Sequence, residues 1–234
     1  MPASIKKKIN KYRKNRREFV VVEEISRAFT KGVSLLKKEL GASAIGDYLE
    51  FGVHKGTSLS CMYQVLKEQQ SNHVRLFGFD SFEGLPETAA YDDEGAWRPG
   101  EFKYPYKATR KYLDEKGIEW DKTILVKGWF SDTLNEQLIE QYAIQKVSLI
   151  MIDCDMYLSA KEALNFCAPL IKDKAVVYFD DWASRDNLAE RNLGEKRAFN
   201  EFLEDNPHLT AKEIDRYIDI GGKINGAVFL VSTV

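Results

Sequence analysis

Apolar residues along this 234-residue chain fall into two rhythms. One is helical: "EFVVVEEISRAFTKGVSLLKKEL" repeats apolar side chains every three or four positions and stops at Gly41, a residue suited to a helix C-terminus. The other is a series of short, almost unbroken apolar runs. These are "IGDYLEFGV" (45–53), "VRLFGFD" (74–80), "KTILVKG" (122–128), "VSLIMID" (147–153), "KAVVYFD" (174–180) and "GAVFLVST" (226–233). Helical patterns lie between them, near 57–70, 106–117, 131–143, 157–172 and 187–205. Strands that are apolar throughout are covered on both faces, so their alternation with helices predicts an α/β fold with a mostly parallel sheet. Ligands of such sheets collect beyond the carboxyl ends of the strands.

The stretch 81–105, "SFEGLPETAAYDDEGAWRPGEFKYP", is irregular and rich in Gly, Pro and aromatics. A loop of that length inside a compact domain covers a site or binds something, with plain surface chain as the alternative. The organisation reads as a helical extension over 1–40 followed by one α/β domain over 41–234.

Composition narrows the class. No apolar run is long enough to span a bilayer, and no secretory signal is evident, so a cytoplasmic protein is expected. Cys61, Cys154 and Cys167 lack metal or redox spacing and lie in or beside apolar elements, as core thiols do. The net charge of −2 is uneven: the first 17 residues hold eight Lys and Arg and no acid. Ile5, Ile9 and Tyr12 recur there at helical spacing, so this segment is either an amphipathic basic helix or a solvated terminus. The rest is acidic and carries no basic stripe with interleaved aromatics, so no nucleic-acid partner is expected.

Four strand ends carry candidate chemistry. In "YLEFGVHKGTS" a strand runs into Glu50, then Gly52, Val53 and Gly56, and a helix opens near Thr57 and Ser58. Glycines let a ligand approach the backbone while a helix start offers free N–H donors; a plain tight turn is the alternative. This is not a full dinucleotide fingerprint. Asp80, with Ser81 beside it, ends the next strand, where an acid can accept hydrogen bonds from ribose hydroxyls or cap a turn. Phe82 is placed to lie against an adenine ring. Gly128 and Trp129 end a third strand. Finally, Asp153 and Asp155 close one apolar run and Asp180 and Asp181 close another. Either pair alone reads as helix capping. Together, on adjacent strands, Asp153, Asp180 and Asp181 form a cup for a hard divalent cation, which prefers carboxylate oxygens.

In order and spacing, "LEFGVHKGTS", "FGFDSFEGLPE", "VKGWFSDTL", "IDCDMYLSAKEAL" and "VVYFDDW" resemble the macrocin/mycinamicin type of S-adenosylmethionine-dependent O-methyltransferase, over about residues 45–185. The resemblance implies a Rossmann-like class I methyltransferase domain with a seven-stranded, mostly parallel sheet, helices on both faces and an antiparallel last strand. It implies S-adenosylmethionine held by Glu50, Gly52, Val53, Ser58, Asp80, Ser81, Gly128 and Trp129, and Mg²⁺ or another divalent cation held by Asp153, Asp180 and Asp181. Asp155 matches the acid assigned as general base in sugar-modifying relatives. The lysine of the catechol-type enzymes is replaced here by Met156, which favours a carboxylate base. A small-molecule acceptor with a hydroxyl on a sugar, glycoside or vicinal diol is implied, as is a homo-oligomer, a dimer through N-terminal helices. Two other readings compete. A haloacid-dehalogenase-like phosphatase would use the DxD of "IDCD", although too little chain separates the acidic pairs for its remaining elements. A non-catalytic nucleoside-binding module would need no metal.

Overall fold

The computed structural model describes residues 21–183, 188–218 and 222–234; the basic segment over the first 17 residues lies outside them. Five apolar runs form parallel strands: β1 (Asp47–Phe51), β2 (Leu76–Asp80), β3 (Thr123–Lys127), β4 (Val147–Ile152) and β5 (Lys174–Phe179). Two further strands, β6 (Leu209–Ile218) and β7 (Ile224–Thr233), pair antiparallel with each other, and β7 pairs antiparallel with β5. Among the described residues the sheet has seven strands in the order β3-β2-β1-β4-β5-β7-β6, with only β7 reversed. This is the class I methyltransferase topology that the resemblance implied.

The strands read as unbroken apolar runs because each face of the sheet is covered. Leu49, Phe51, Ile150, Ile152, Val177 and Phe179 face one core, which is completed by helices α5 (Glu136–Tyr142), α6 (Tyr157–Cys167) and α7 (Gly194–Asp205). Tyr48, Leu149, Met151, Val176 and Tyr178 face the other, beneath α1 (Val22–Leu40), α2 (Thr57–Glu68) and α3 (Tyr106–Glu115). Alternate residues of one strand point to opposite faces, so both registers must be apolar. Cys61, Cys154 and Cys167 are buried and form no disulfide, as expected.

Helix α1 belongs to this core. Its Ile25, Ala28, Phe29, Val33 and Leu36 form one buried stripe, and the Phe29 and Tyr178 rings pack edge to face with centroids 4.8 Å apart. Each large apolar side chain buried there contributes roughly 1.5–3 kcal/mol. Helix α1 therefore completes a layer of the α/β domain, and a boundary at residue 40 divides that layer.

One expected helix is split and another ends early, each for a local reason. The pattern near 131–143 splits into α4 (Phe130–Thr133) and α5, because Asn135 leaves the helix and its side chain accepts the Leu138 N–H at 3.0 Å. The pattern near 157–172 stops at Cys167, where Pro169 leads into a single 3₁₀ turn. Strand β6 has no counterpart among the apolar runs. Its sequence "LTAKEIDRYI" leaves most positions exposed, so no apolar pattern marks it. It is held by long-range contacts: Arg27 of α1 pairs with Asp215 at 2.7 Å and donates to the Arg216 carbonyl at 2.8 Å, while Lys31 donates to the Ile214 carbonyl at 2.8 Å.

Candidate active site

The sheet order changes direction between β1 and β4, and the crevice outside such a switch point is where α/β folds place ligands. The turn after β1 and the end of β4 touch there. Gly52 has φ 93°, and a Cβ on it would lie 1.7 Å from the Asp153 carbonyl oxygen. Only glycine fits that position, for its backbone angle and for the space.

Asp80, at the tip of β2, organises the β1–α2 turn. Its Oδ2 accepts the backbone N–H groups of Val53 at 2.9 Å and His54 at 2.7 Å, and its Oδ1 accepts that of Phe82 at 2.6 Å. About four acceptor positions exist on a carboxylate, so room remains for a further donor. His54 carries φ 49° and its ring lies 4.9 Å from that of Tyr104 in the long loop.

Glu50 is fully buried rather than turned to a cleft. It accepts hydrogen bonds from the Tyr48 hydroxyl and, at 2.8 Å, from Ser58 Oγ. Tyr48 and Glu50 share one face of β1, so the pair ties the strand to the first turn of α2. Burial pushes the Glu50 carboxyl up to about 8. The Ser81 hydroxyl is engaged within its own turn, donating to the Gly84 carbonyl at 2.9 Å and accepting the Glu83 N–H at 3.0 Å. Phe82 is 2% exposed and packs edge-on against Tyr106, so it is a core side chain and does not offer its ring to an adenine. At the β3 end, Gly128 donates its N–H to the Asp80 carbonyl at 3.0 Å and Trp129 precedes α4. Gly52, Val53, Asp80 and Gly128 are thus brought together along one rim of the crevice, with Glu50, Ser58 and Ser81 bracing it from behind.

The acidic residues converge. One carboxylate oxygen from each of Asp153, Asp180 and Asp181 lies within 4.8 Å of the others, and all three side chains are half-buried. Strand pairing sets this: Asp153 N–H donates to the Phe51 carbonyl at 2.9 Å, and Asp180 N–H to the Ile152 carbonyl at 3.0 Å. Asp180 is further fixed by the Tyr217 hydroxyl of β6 at 3.0 Å, and its carbonyl accepts from Asn225 at 2.5 Å. Burial, followed by the charges of Asp180 and Asp181, pushes the Asp153 carboxyl well above the usual carboxylate range. Three carboxylates gathered this closely suit a hard divalent cation, whose charge reverses the repulsion. Asp155, at φ 64°, lies on the same turn, and Met156 is fully buried with Ala89, Trp97 and Leu188.

Some residues that shape the site gave no signal in the sequence. Asp92 and Asp93, from the long loop, are almost fully buried. Asp92 accepts the Leu158 N–H at 2.8 Å, while Asp93 accepts Tyr157 N–H at 2.9 Å and Gly194 N–H at 2.8 Å. They clamp the loop onto the starts of α6 and α7, beside Asp153 and Asp155. Glu195 is the other: it is buried next to the trio and its Oε2 accepts the Asp181 N–H at 3.1 Å. An acid one residue into a helix is common, which hid it.

Comparison with solved structures places the fold. The O-methyltransferase NovP superposes with a TM-score of 0.68 at 19% identity, covering 87% of this chain and 78% of that one. The calicheamicin methyltransferase CalS11 gives 0.63 at 22% identity, covering 85% and 77%. In sequence, the chain is 31% identical over 145 residues to 8-demethyl-8-(2,3-dimethoxy-alpha-L-rhamnosyl)-tetracenomycin-C 4'-O-methyltransferase of Streptomyces olivaceus. That match covers 59% of this chain and 53% of the relative, so the chain spans about half the length of the curated protein it matches. The profile of macrocin-O-methyltransferase (TylF) matches residues 34–205, most of the sequence, and the chain belongs to that family.

Proposed function

We propose that this protein methylates a hydroxyl of a sugar or glycoside, with S-adenosylmethionine as donor and a divalent cation, Mg²⁺ by preference, held by Asp153, Asp180 and Asp181. The observation that carries this reading is the convergence of those three carboxylates within 4.8 Å, across the switch-point crevice from the Asp80-ordered turn. The sugar-directed activity named for the Streptomyces olivaceus relative supports the acceptor class. Family membership favours this reading over the phosphatase; a nucleoside-binding module without chemistry is an outcome the experiment below separates.

Each group has a distinct part. Gly52 and Val53 let the donor approach the backbone after β1, and Asp80 offers its remaining acceptor position to a ribose hydroxyl. Gly128 and Trp129 border the nucleoside. The donor supplies an electrophilic methyl on a sulfonium. Asp153, Asp180 and Asp181 would hold the cation, which would supply Lewis-acid stabilisation to an acceptor oxygen. Asp155 would take the proton of the acceptor hydroxyl, leaving its oxygen to receive the methyl that the bound donor would supply. Holding acceptor and donor in line supplies much of the rate by removing the need for a chance encounter. A dimer is part of this proposal, with α1 contributing its outer face because its apolar stripe is covered within the chain.

The experiment is transfer of labelled methyl from S-adenosylmethionine to a panel of glycosides and vicinal diols, with Mg²⁺ and with chelator. Metal-dependent label in a glycoside supports the reading. Cofactor binding with no transfer to any acceptor overturns it in favour of the binding module.

A further inference from the structure

Glu195 is the second residue of α7 and only 1% exposed. One of its oxygens accepts the Asp181 N–H at 3.1 Å, while the other, Oε1, has no hydrogen-bond partner among the described residues. A buried carboxyl oxygen with no donor is costly and calls for an explanation. Among the described residues, Asp181, Asp180 and Asp155 repel its charge, and the Asp181 N–H is the donor that offsets them. Nor is it one of the converging ligands: the oxygens within 4.8 Å of one another come from Asp153, Asp180 and Asp181.

What such an oxygen lacks is a donor that arrives with the cation. Hard divalent cations shed water reluctantly, and the water they keep turns its O–H groups outward as donors. Partners in the outer layer of a metal site commonly accept from those waters or orient the ligands, and their loss weakens metal binding about 10–100-fold. We propose that Glu195 is a positioning residue of the cation site: Oε2 fixes the Asp180–Asp181 turn, and Oε1 accepts a hydrogen bond from a cation-bound water. This rests on reading Asp153, Asp180 and Asp181 as the cation site. Its own start in the fold is prepared from outside the site, since Gly194, at φ 61°, donates its N–H to Asp93 at 2.8 Å and so aims the first turn of α7.

The test uses Mn²⁺ as probe with the full chain, comparing wild type, Glu195→Ala, Glu195→Gln and Asp181→Asn. Mn²⁺ affinity is read by calorimetry, the waters on bound Mn²⁺ by water-proton relaxation, and S-adenosylhomocysteine affinity serves as control. Glu195→Ala is expected to weaken Mn²⁺ about 10–100-fold. Glu195→Gln, which keeps one acceptor oxygen, is expected to weaken it less and to change the relaxation of the bound ion. Both should leave S-adenosylhomocysteine binding within about twofold, and if Glu195→Ala does not fold, Glu195→Gln alone decides the matter. Unchanged affinity and relaxation in Glu195→Gln, with binding lost in Asp181→Asn, overturns the role of Glu195 while the cation site stands. A wild type that does not bind Mn²⁺ overturns the cation site and this inference together.

Discussion

Gly194 donates its backbone N–H to the Asp93 carboxylate at 2.8 Å, although the two residues lie 101 positions apart. The same carboxylate accepts Tyr157 N–H and, at 3.3 Å, the Trp97 indole. Asp93 itself adopts φ 47° and Glu94 φ 59°, a conformation that side-chain-bearing residues enter only when their surroundings hold them there. Asp93→Ala strands three donors, each worth about 1–3 kcal/mol when left unpaired. Urea unfolding should show a loss of about 3 kcal/mol or more, and methyl transfer should fall further than folded fraction alone explains, because the turn carrying Asp153 and Asp155 loses its anchor.

Removing a proposed cation ligand should separate two functions. Asp153→Asn or Asp181→Asn is expected to abolish metal-stimulated methyl transfer, at least about 100-fold, while S-adenosylhomocysteine still binds. Because Asp153 is held above the ordinary carboxylate range, protons compete with the cation, and the Mg²⁺-induced rise in melting temperature should shrink as pH falls. Equal loss of cofactor binding in a folded variant would remove these residues from the metal.

Glu50 gives a pH signature independent of the metal. Its carboxyl sits near 8 in the folded chain against 4.5 in its absence, so the folded state keeps a proton that the unfolded chain releases in between. Stability from this group is complete below the lower value and declines as pH rises towards 8. At ~1.4 kcal/mol per unit the span is a few kcal/mol at most. Glu50→Gln has no such proton to lose, so chemical denaturation should show it gaining on wild type between pH 5 and pH 8. Parallel pH curves would refute the assignment.

Asp80 orders the donor turn through the N–H groups of Val53 and His54. Hydrogen bonds to a charged acceptor are worth about 1.5–3 kcal/mol each, and losing one corresponds to about tenfold or more in affinity. Asp80→Ala is therefore expected to weaken S-adenosylhomocysteine at least about tenfold by calorimetry, with Mn²⁺ binding little changed.

What the sequence could disclose followed physical range. Apolar runs ending in aspartate disclose strands and their tips, because burial on both faces and a polar stop are local properties; Asp153, Asp180 and Asp181 were legible for that reason. Glu50 and Ser81 were legible as motif positions, yet their hydrogen bonds join them to Tyr48, Ser58 and Gly84 behind the crevice, which spacing cannot reveal. Asp92, Asp93 and Glu195 depend on partners far along the chain. Strand β6 depends on α1 and on Tyr217, whose hydroxyl reaches both the Phe179 carbonyl and Asp180. No local window contains those contacts.

Strand β6 is the last in the sheet, and an uncovered border of that kind invites strand addition by another molecule. Here the register slips between Glu213 and Asp215, and the carbonyls of Ile214 and Arg216 are already occupied by Lys31 and Arg27. An added strand would meet a shifted register and two carbonyls already engaged. Arg27 and Lys31 of α1 thereby engage acceptors that an incoming strand would need.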